Sequence, residues 1–409
     1  MKFNKFDWFD SSELNAVKRV MKSKKLSEFY GNWGEKFEGG IEVKSFESEC
    51  EEYFQVKHAI TFNSLASGLS ASIGALGISP GDEVILPPWT MSATAASILH
   101  WGGIPIFADI NPDTYCIEPT SVEANITTKT KAIIAVDIFG QSANVESLQL
   151  LARKFNLKLI SDSAQSIGAR RNGAFTGTKA DIGGISLNYH KHIHSGEGAV
   201  MFTNDSDLAL RLKLIRNHAE SVVADIPFKV DFTNMVGHNY RMSELHASIG
   251  RVQLKKLNSI LIKRKKEADL LRDKLKNIDQ LVMPFVDFGN EHVYYIFAMQ
   301  IAKSRVSVSK QVLVNELVEL GVPGLSTKYV NLHLLPVFQK KIALGSSGFP
   351  WSFEGARKGI TYEKGICPVA ERLQDDTFLS FYINDFSLSK KNIDFIYSAF
   401  RKTFDKYSL

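Results

Sequence analysis

The sequence predicts an α/β protein: an open, mainly parallel sheet flanked by helices, followed by a smaller C-terminal α+β domain. From about residue 55 to 205, short apolar strands alternate with helical stretches and are separated by Pro and Gly punctuation. Near residue 240 the alternation gives way to a long helix-favouring run and then a shorter mixed region. The chain has 409 residues, 44% apolar and 23% charged. At roughly 100–200 residues per domain, that length implies two or three domains with ample core. The divisions predicted are an N-terminal helix and loop segment over 1–45, a large domain over 46–255, and a small domain with its linking helix over 256–409.

Ser64 to Leu76 sets Leu65, Leu69, Ile73 and Leu76 at helical spacing, and Pro80-Gly81-Asp82 then punctuates the chain. Glu83–Leu86 is a short apolar strand halted by Pro87-Pro88. Ile104–Ala108, Ala132–Val136, Lys158–Ser161 and Gly184–Leu187 read as further strands. Val145 to Phe155 carries Leu148, Leu151, Ala152 and Phe155 on one helical face. Asn239 to Lys276 favours helix almost throughout, with Met242, Leu245, Ile249, Val252 and Leu257 as its apolar stripe. The basic run Lys263-Arg264-Lys265-Lys266 reads as a phosphate patch or as a solvated helix face. Glu267, Asp269 and Asp273 follow at once and favour the solvated face. His292–Ile301 is strand-like, and Lys390–Phe404 predicts a terminal helix.

The charge balance excludes several functions. Lys and Arg number 49 against 44 Asp and Glu, a net charge of +5, whereas nucleic-acid binders concentrate basic residues far more strongly. No nucleic-acid or membrane partner is expected, since no apolar run reaches the roughly 18 residues of a membrane span. The first residues lack the apolar core of a signal peptide, so a cytoplasmic location is expected. Cys50, Cys116 and Cys367 form no Cys-x-x-Cys pair and are expected to be reduced thiols. No Gly-x-Gly-x-x-Gly turn follows the first strand, which argues against a nicotinamide-binding sheet.

Open α/β sheets bind ligands at the carboxyl ends of their strands. Asp162 stands at such an end, after Lys158–Ser161. Lys191 follows Gly184–Leu187 by a polar turn. A carboxylate and a lysine so placed suit pyridoxal 5′-phosphate (PLP): the lysine forms a Schiff base with its aldehyde, and the acid keeps the pyridine nitrogen protonated.

Several further segments occur in order: Pro80-Gly81-Asp82-Glu83-Val84-Ile85, Ile104-Pro105-Ile106-Phe107-Ala108-Asp109, Gly237-His238-Asn239-Tyr240-Arg241-Met242-Ser243-Glu244, Tyr329-Val330-Asn331-Leu332-His333 and Cys367-Pro368-Val369-Ala370-Glu371-Arg372. With the Asp162 and Lys191 segments they resemble the DegT/DnrJ/EryC1/StrS sugar aminotransferases over nearly the whole chain. The resemblance implies the fold type I PLP-dependent transferase architecture, with a central sheet of the seven-stranded type. It also implies L-glutamate or L-glutamine as amino donor, a keto or aldehyde sugar, usually nucleotide-linked, as acceptor, pyridoxamine 5′-phosphate as the intermediate cofactor form, and a homodimer with shared sites.

By the same resemblance Lys191 is the Schiff-base lysine and the proton-moving base. Asp162 pairs with the pyridinium nitrogen, though a carboxylate after a strand also suits a helix N-cap. Gln165 lies against the ring or near its hydroxyl. The phosphate falls to the helix start at Leu65 and Ala66, where relatives carry Gly-Thr or Gly-Ser, with Ser67 as a substitute hydroxyl. Ser186 is the matching phosphate serine, and Asn239 reaches the phosphate of the neighbouring subunit. Met91, or else Trp89, stacks on the ring. Tyr329 and His333 match an element near the sugar, and His192 is open to a substrate or proton-relay role. Glu197 reads as structural. His190, His192 and His194 alternate as zinc ligands do, but no thiol or carboxylate joins them, so no metal is expected. Related sugar dehydratases, which use pyridoxamine phosphate, replace the lysine with histidine, so Lys191 argues against a dehydratase. The same residues would also serve an aminotransferase acting on a smaller phosphorylated carbonyl, or a non-catalytic PLP-binding regulator.

Overall fold

The computed structural model describes residues 1–409. Seven strands form the central sheet: β1 (His58–Phe62), β2 (Glu83–Leu86), β3 (Ile104–Phe107), β4 (Thr130–Val136), β5 (Lys158–Asp162), β6 (Ile182–Ser186) and β7 (Ala199–Thr203). Their order is β1-β7-β6-β5-β4-β2-β3. All run parallel except β7, which is antiparallel to both its neighbours. Nearly every strand residue is buried, which is why these strands read as continuous apolar runs and not as alternating ones. β5 lies mid-sheet, so the register pairs Asp162 with Val136 on one side and Gly184 on the other.

The helices α1 (Ser11–Ser23), α2 (Ile41–Phe54), α3 (Leu65–Ala75), α4 (Ser92–His100), α5 (Val145–Phe155) and α6 (Ser206–Arg216) pack around this sheet. The expected helix over 145–155 is found with those bounds, and the expected strands of the central sheet lie within about two residues of the observed ones, whereas the strand expected over His292–Ile301 is found only from Phe297 to Ile301. The long helix α7 (Glu244–Leu275) starts five residues later than its composition suggests. Ser243 caps it, its Oγ accepting from His246 N at 3.3 Å, while Tyr240 is drawn into extended pairing with Asn63 and Arg216. Its inward face is Ala247, Gly250, Leu254 and Leu257; Leu245, Ile249 and Val252 of the expected stripe stay half-buried.

Arg264 corrects the reading of the basic run. It is wholly buried, and its guanidinium donates to Glu267 Oε2 at 2.9 Å and to the carbonyls of Ile383, Phe386 and Asn384 at 2.6, 2.8 and 3.1 Å. Four oxygens around one fork explain how a charge sits in a core. Only Lys263, Lys265 and Lys266 form a solvated face.

The C-terminal region builds a second, antiparallel sheet from Leu281–Val282, Phe297–Ile301, Phe378–Phe381 and Leu325–Ser326. The helices Lys310–Glu319 and Lys390–Lys406 and the end of α7 share its core. Leu332, Phe338, Cys367 and Leu373 instead join the core of the central sheet. The N-terminal stretch crosses between the two regions: Asn4–Lys5 pairs with Phe386–Ser387, and Trp8 Nε1 donates to the carbonyls of Lys191 and His192, both at 3.1 Å. The three cysteines are free and buried. No helix is long and apolar enough to cross a membrane.

Candidate active site

A cavity of about 560 Å³ opens at the carboxyl ends of the central strands. Lys191, Asp162, Gln165, Ser186, Leu65, Ala66, Met91 and Tyr329 all line it, brought from five separate stretches of sequence. Trp89, Asn239, His192 and His333 do not.

Asp162 ends β5 and is buried. Thr94 Oγ1 donates to its Oδ2 at 2.8 Å, and the Ala164 amide donates to its Oδ1 at 3.1 Å. It therefore caps a turn and not a helix. Burial pushes the carboxyl above its ordinary range, against the two hydrogen bonds and the nearby Lys191 charge. Lys191 follows β6 in a turn braced from outside by the Trp8 indole. Its Nζ forms no ion pair; Tyr295 Oη, 3.3 Å away, is its hydrogen-bond partner. Burial lowers the amine to about 8, and the Asp162 charge works the other way.

At the base of α3, Ser64 is the N-cap and its Oγ accepts from Ser67 N at 3.2 Å. Ser67 is thereby tied to the cap. The first-turn amides of Leu65 and Ala66 have no carbonyl four residues back within the helix, which makes this end a ready anion seat. Ser186 Oγ accepts from Asn188 N at 3.2 Å, leaving its O–H to donate. Gln165 Nε2 donates to Tyr329 Oη at 2.9 Å while its Oε1 accepts from Phe139 N, so the amide is oriented from both ends. Met91 is 68% exposed at the cavity mouth.

Trp89 turns away from the cavity. Its indole packs among Tyr115, Phe139, Tyr329 and Phe378, and Nε1 donates to Asn331 Oδ1 at 2.7 Å, so it is a core residue beneath the site. His333 is also withdrawn, fully buried with Nε2 2.8 Å from Glu371 Oε1. His192 donates from Nε2 to Val293 O at 2.9 Å, and burial lowers its imidazole to about 3; it is neither exposed to substrate nor ready to carry a proton. Asn239 is exposed, away from its own chain's cavity, its Oδ1 accepting from Arg241 Nε. The alternating histidines diverge: His190 lines the cavity, His192 points to Val293, and His194 packs on Trp8 and Phe9. No three His, Cys, Asp or Glu residues are grouped to hold a metal. Glu197 accepts from Asn188 Nδ2 at 2.8 Å across the lysine turn.

Sequence patterns alone did not single out Thr94 or the far wall of Tyr295, Tyr382, Asn384 and Asp385. For Thr94 a signal existed, because Thr90, just before α4, and Thr94, in its first turn, lie four residues apart and their hydroxyls meet at 2.8 Å. The far wall comes from chain about 100 to 190 residues beyond Lys191 and carries no local signature.

Residues 10–363 match the model of the DegT/DnrJ/EryC1/StrS aminotransferase family. GDP-perosamine synthase of Vibrio cholerae is 32% identical over 330 residues, covering 80% of this chain and 87% of that protein. The spore coat polysaccharide biosynthesis protein SpsC of Bacillus subtilis is 29% identical over 316 residues, 76% of this chain and 81% of its own length. Among solved structures, an aminotransferase from Psychrobacter cryohalolentis covers 99% of this chain and 100% of its own, with 27% identity and a TM-score of 0.83.

Proposed function

The chain belongs to the DegT/DnrJ/EryC1/StrS family of PLP-dependent aminotransferases, and we propose that it moves an amino group from L-glutamate or L-glutamine to a keto or aldehyde sugar. We take the acceptor to be nucleotide-linked and the product to serve surface polysaccharide or a secondary metabolite. Relatives named GDP-perosamine synthase and UDP-N-acetyl-3-dehydro-alpha-D-glucosamine 3-aminotransferase support that choice. The observation that carries the reading is the convergence of a buried amine, a buried carboxylate and a free helix N-terminus on one cavity.

These residues fit the cofactor. The helix start at Leu65 and Ala66, with the Ser186 hydroxyl, offers donors to a phosphate dianion. Asp162 offers the carboxylate a protonated ring nitrogen needs, and Thr94 holds it in place. When bound, PLP supplies an aldehyde that takes up nitrogen and a ring that accepts electrons. Lys191 binds the cofactor and, with its amine held at about 8, gains and loses a proton near neutral pH. Gln165 and Tyr329 fix one edge of the seat, and Met91 covers its mouth. Asn239, exposed in a segment that also exposes Phe232 and Val236, suits a homodimer in which it completes the partner's site.

The test is the visible spectrum of the purified protein with PLP, before and after L-glutamate or L-glutamine. The expected result is a yellow absorption band that bleaches with donor, and that is missing in a folded Lys191→Ala variant with no turnover. Near-normal transamination by Lys191→Ala overturns the assignment.

A further inference from the structure

The proposed function gives Lys191 a proton to move but leaves open what holds its amine while it is free. Nothing acidic does: its neighbours in the cavity include Asp162, which is bound to Thr94 and Ala164, and Glu197, which is bound to Asn188. The phenol of Tyr295 is the one group within hydrogen-bond distance, with Oη 3.3 Å from Nζ and the amine 4.5 Å from the ring centroid. Tyr295 is 8% exposed and faces the cavity.

Its position is set by the backbone. The stretch 293–296 lies along the loop that follows β4: Val293 N donates to Gly140 O at 2.8 Å and Ile296 N to Phe139 O at 3.2 Å. Gly140 has φ of 115°, and a Cβ there would sit 2.6 Å from Tyr294 N and 2.8 Å from Tyr295 N, so only glycine permits the approach. From the other side His192, next to Lys191, donates to Val293 O. The lysine turn and the tyrosine segment are thus clamped together within two residues of each contacting side chain. This also gives buried His192 a positioning role.

We propose that Tyr295 is a catalytic residue of this aminotransferase, its phenol holding the Lys191 amine at the reacting centre whenever that amine is not attached to the cofactor; the proposal rests on the PLP reading above. The phenol suits both protonation states. It donates O–H to the lone pair of the neutral amine, and its oxygen accepts N–H once the amine has taken a proton, so the proton stays on Nζ and the phenol keeps its own. Desolvation holds the hydroxyl well above the ordinary tyrosine range, which keeps it neutral throughout. Besides Tyr295, the titratable groups lining the cavity around the amine are Asp162, Tyr189, His190, Glu197, Tyr329, Tyr382 and Asp385.

Tyr295→Phe removes the hydroxyl and keeps the ring, so the fold is retained. Two readings decide the matter: the pH dependence of PLP capture by the apoprotein, and single-turnover bleaching of the loaded protein by L-glutamate or L-glutamine. The variant is expected to form the visible band on Lys191, since ring and lysine remain. Its capture midpoint moves down by about one pH unit, because, of the two bonds lost, the charge-assisted one to the protonated amine is the stronger. Bleaching slows at least about 10-fold, the scale of a positioned proton-transfer partner, with half-saturating donor changed less than about twofold. An unmoved midpoint overturns the proposal, and so does bleaching within about twofold of the wild-type rate. Failure of the variant alone to form the band also overturns it, by making Tyr295 part of the cofactor seat. A wild-type protein that forms no band refutes the PLP reading itself, and this proposal with it.

Discussion

The amine of Lys191 is the group on which the proposed function depends, and its proton affinity can be measured without any cofactor. Burial lowers it from 10.5 to about 8. At pH 7 a lysine titrating near 10.5 has about one amine in 3,000 neutral, whereas one titrating near 8 has about one in ten, roughly a 300-fold difference. Only the neutral amine reacts with an acylating agent. Trace acetic anhydride applied to the apoprotein from pH 6 to 11, with Lys191 acetylation compared with that of exposed Lys340 by peptide mass spectrometry, therefore reads the titration directly. The midpoint for Lys191 is expected near 8. In Asp162→Asn it falls further, because the carboxylate charge is what raises the amine against desolvation. A wild-type midpoint above 10, or an upward shift in Asp162→Asn, refutes the argument that burial sets the amine's proton affinity.

Other expectations concern residues away from the chemistry. Arg264→Met strips a buried fork from Glu267 and three carbonyls and is expected to cost about 3–5 kcal/mol in denaturant unfolding. Adding Glu267→Leu should recover part of that loss, since the single change strands a buried carboxylate. Trp89→Phe leaves Asn331 Oδ1 without its donor and is expected to cost about 1–3 kcal/mol while PLP affinity stays within about twofold. A large affinity loss there would return Trp89 to the cofactor seat.

The sheet and the two ends of the site were legible because their signals are local. A strand of five apolar residues ending in Asp162, and a turn with Lys191 after another strand, carry their meaning in neighbouring residues. Trp89, His192 and His333 were placed wrongly because a residue's position along the chain does not say which way its side chain turns. The Asn331 amide, the Val293 carbonyl and Glu371 decide that, and each lies far away in sequence. Arg264 shows the same limit from the other side. Its run looks solvated by composition, and only the carbonyls of 383–386 make burial tolerable. Tyr295 needed knowledge that Gly140 admits another backbone, which neither segment discloses alone.

The pairing of Asn4–Lys5 with Phe386–Ser387 has a consequence for synthesis. The indole that braces the lysine turn is synthesised long before the strand that anchors its stretch. Until residue 387 has been made, the opening segment has no strand to join. The large sheet is complete in the chain nearly two hundred residues before then. The turn that carries Lys191 must therefore wait, and Lys191 gains its brace in the same event that pairs Asn4–Lys5 with Phe386–Ser387.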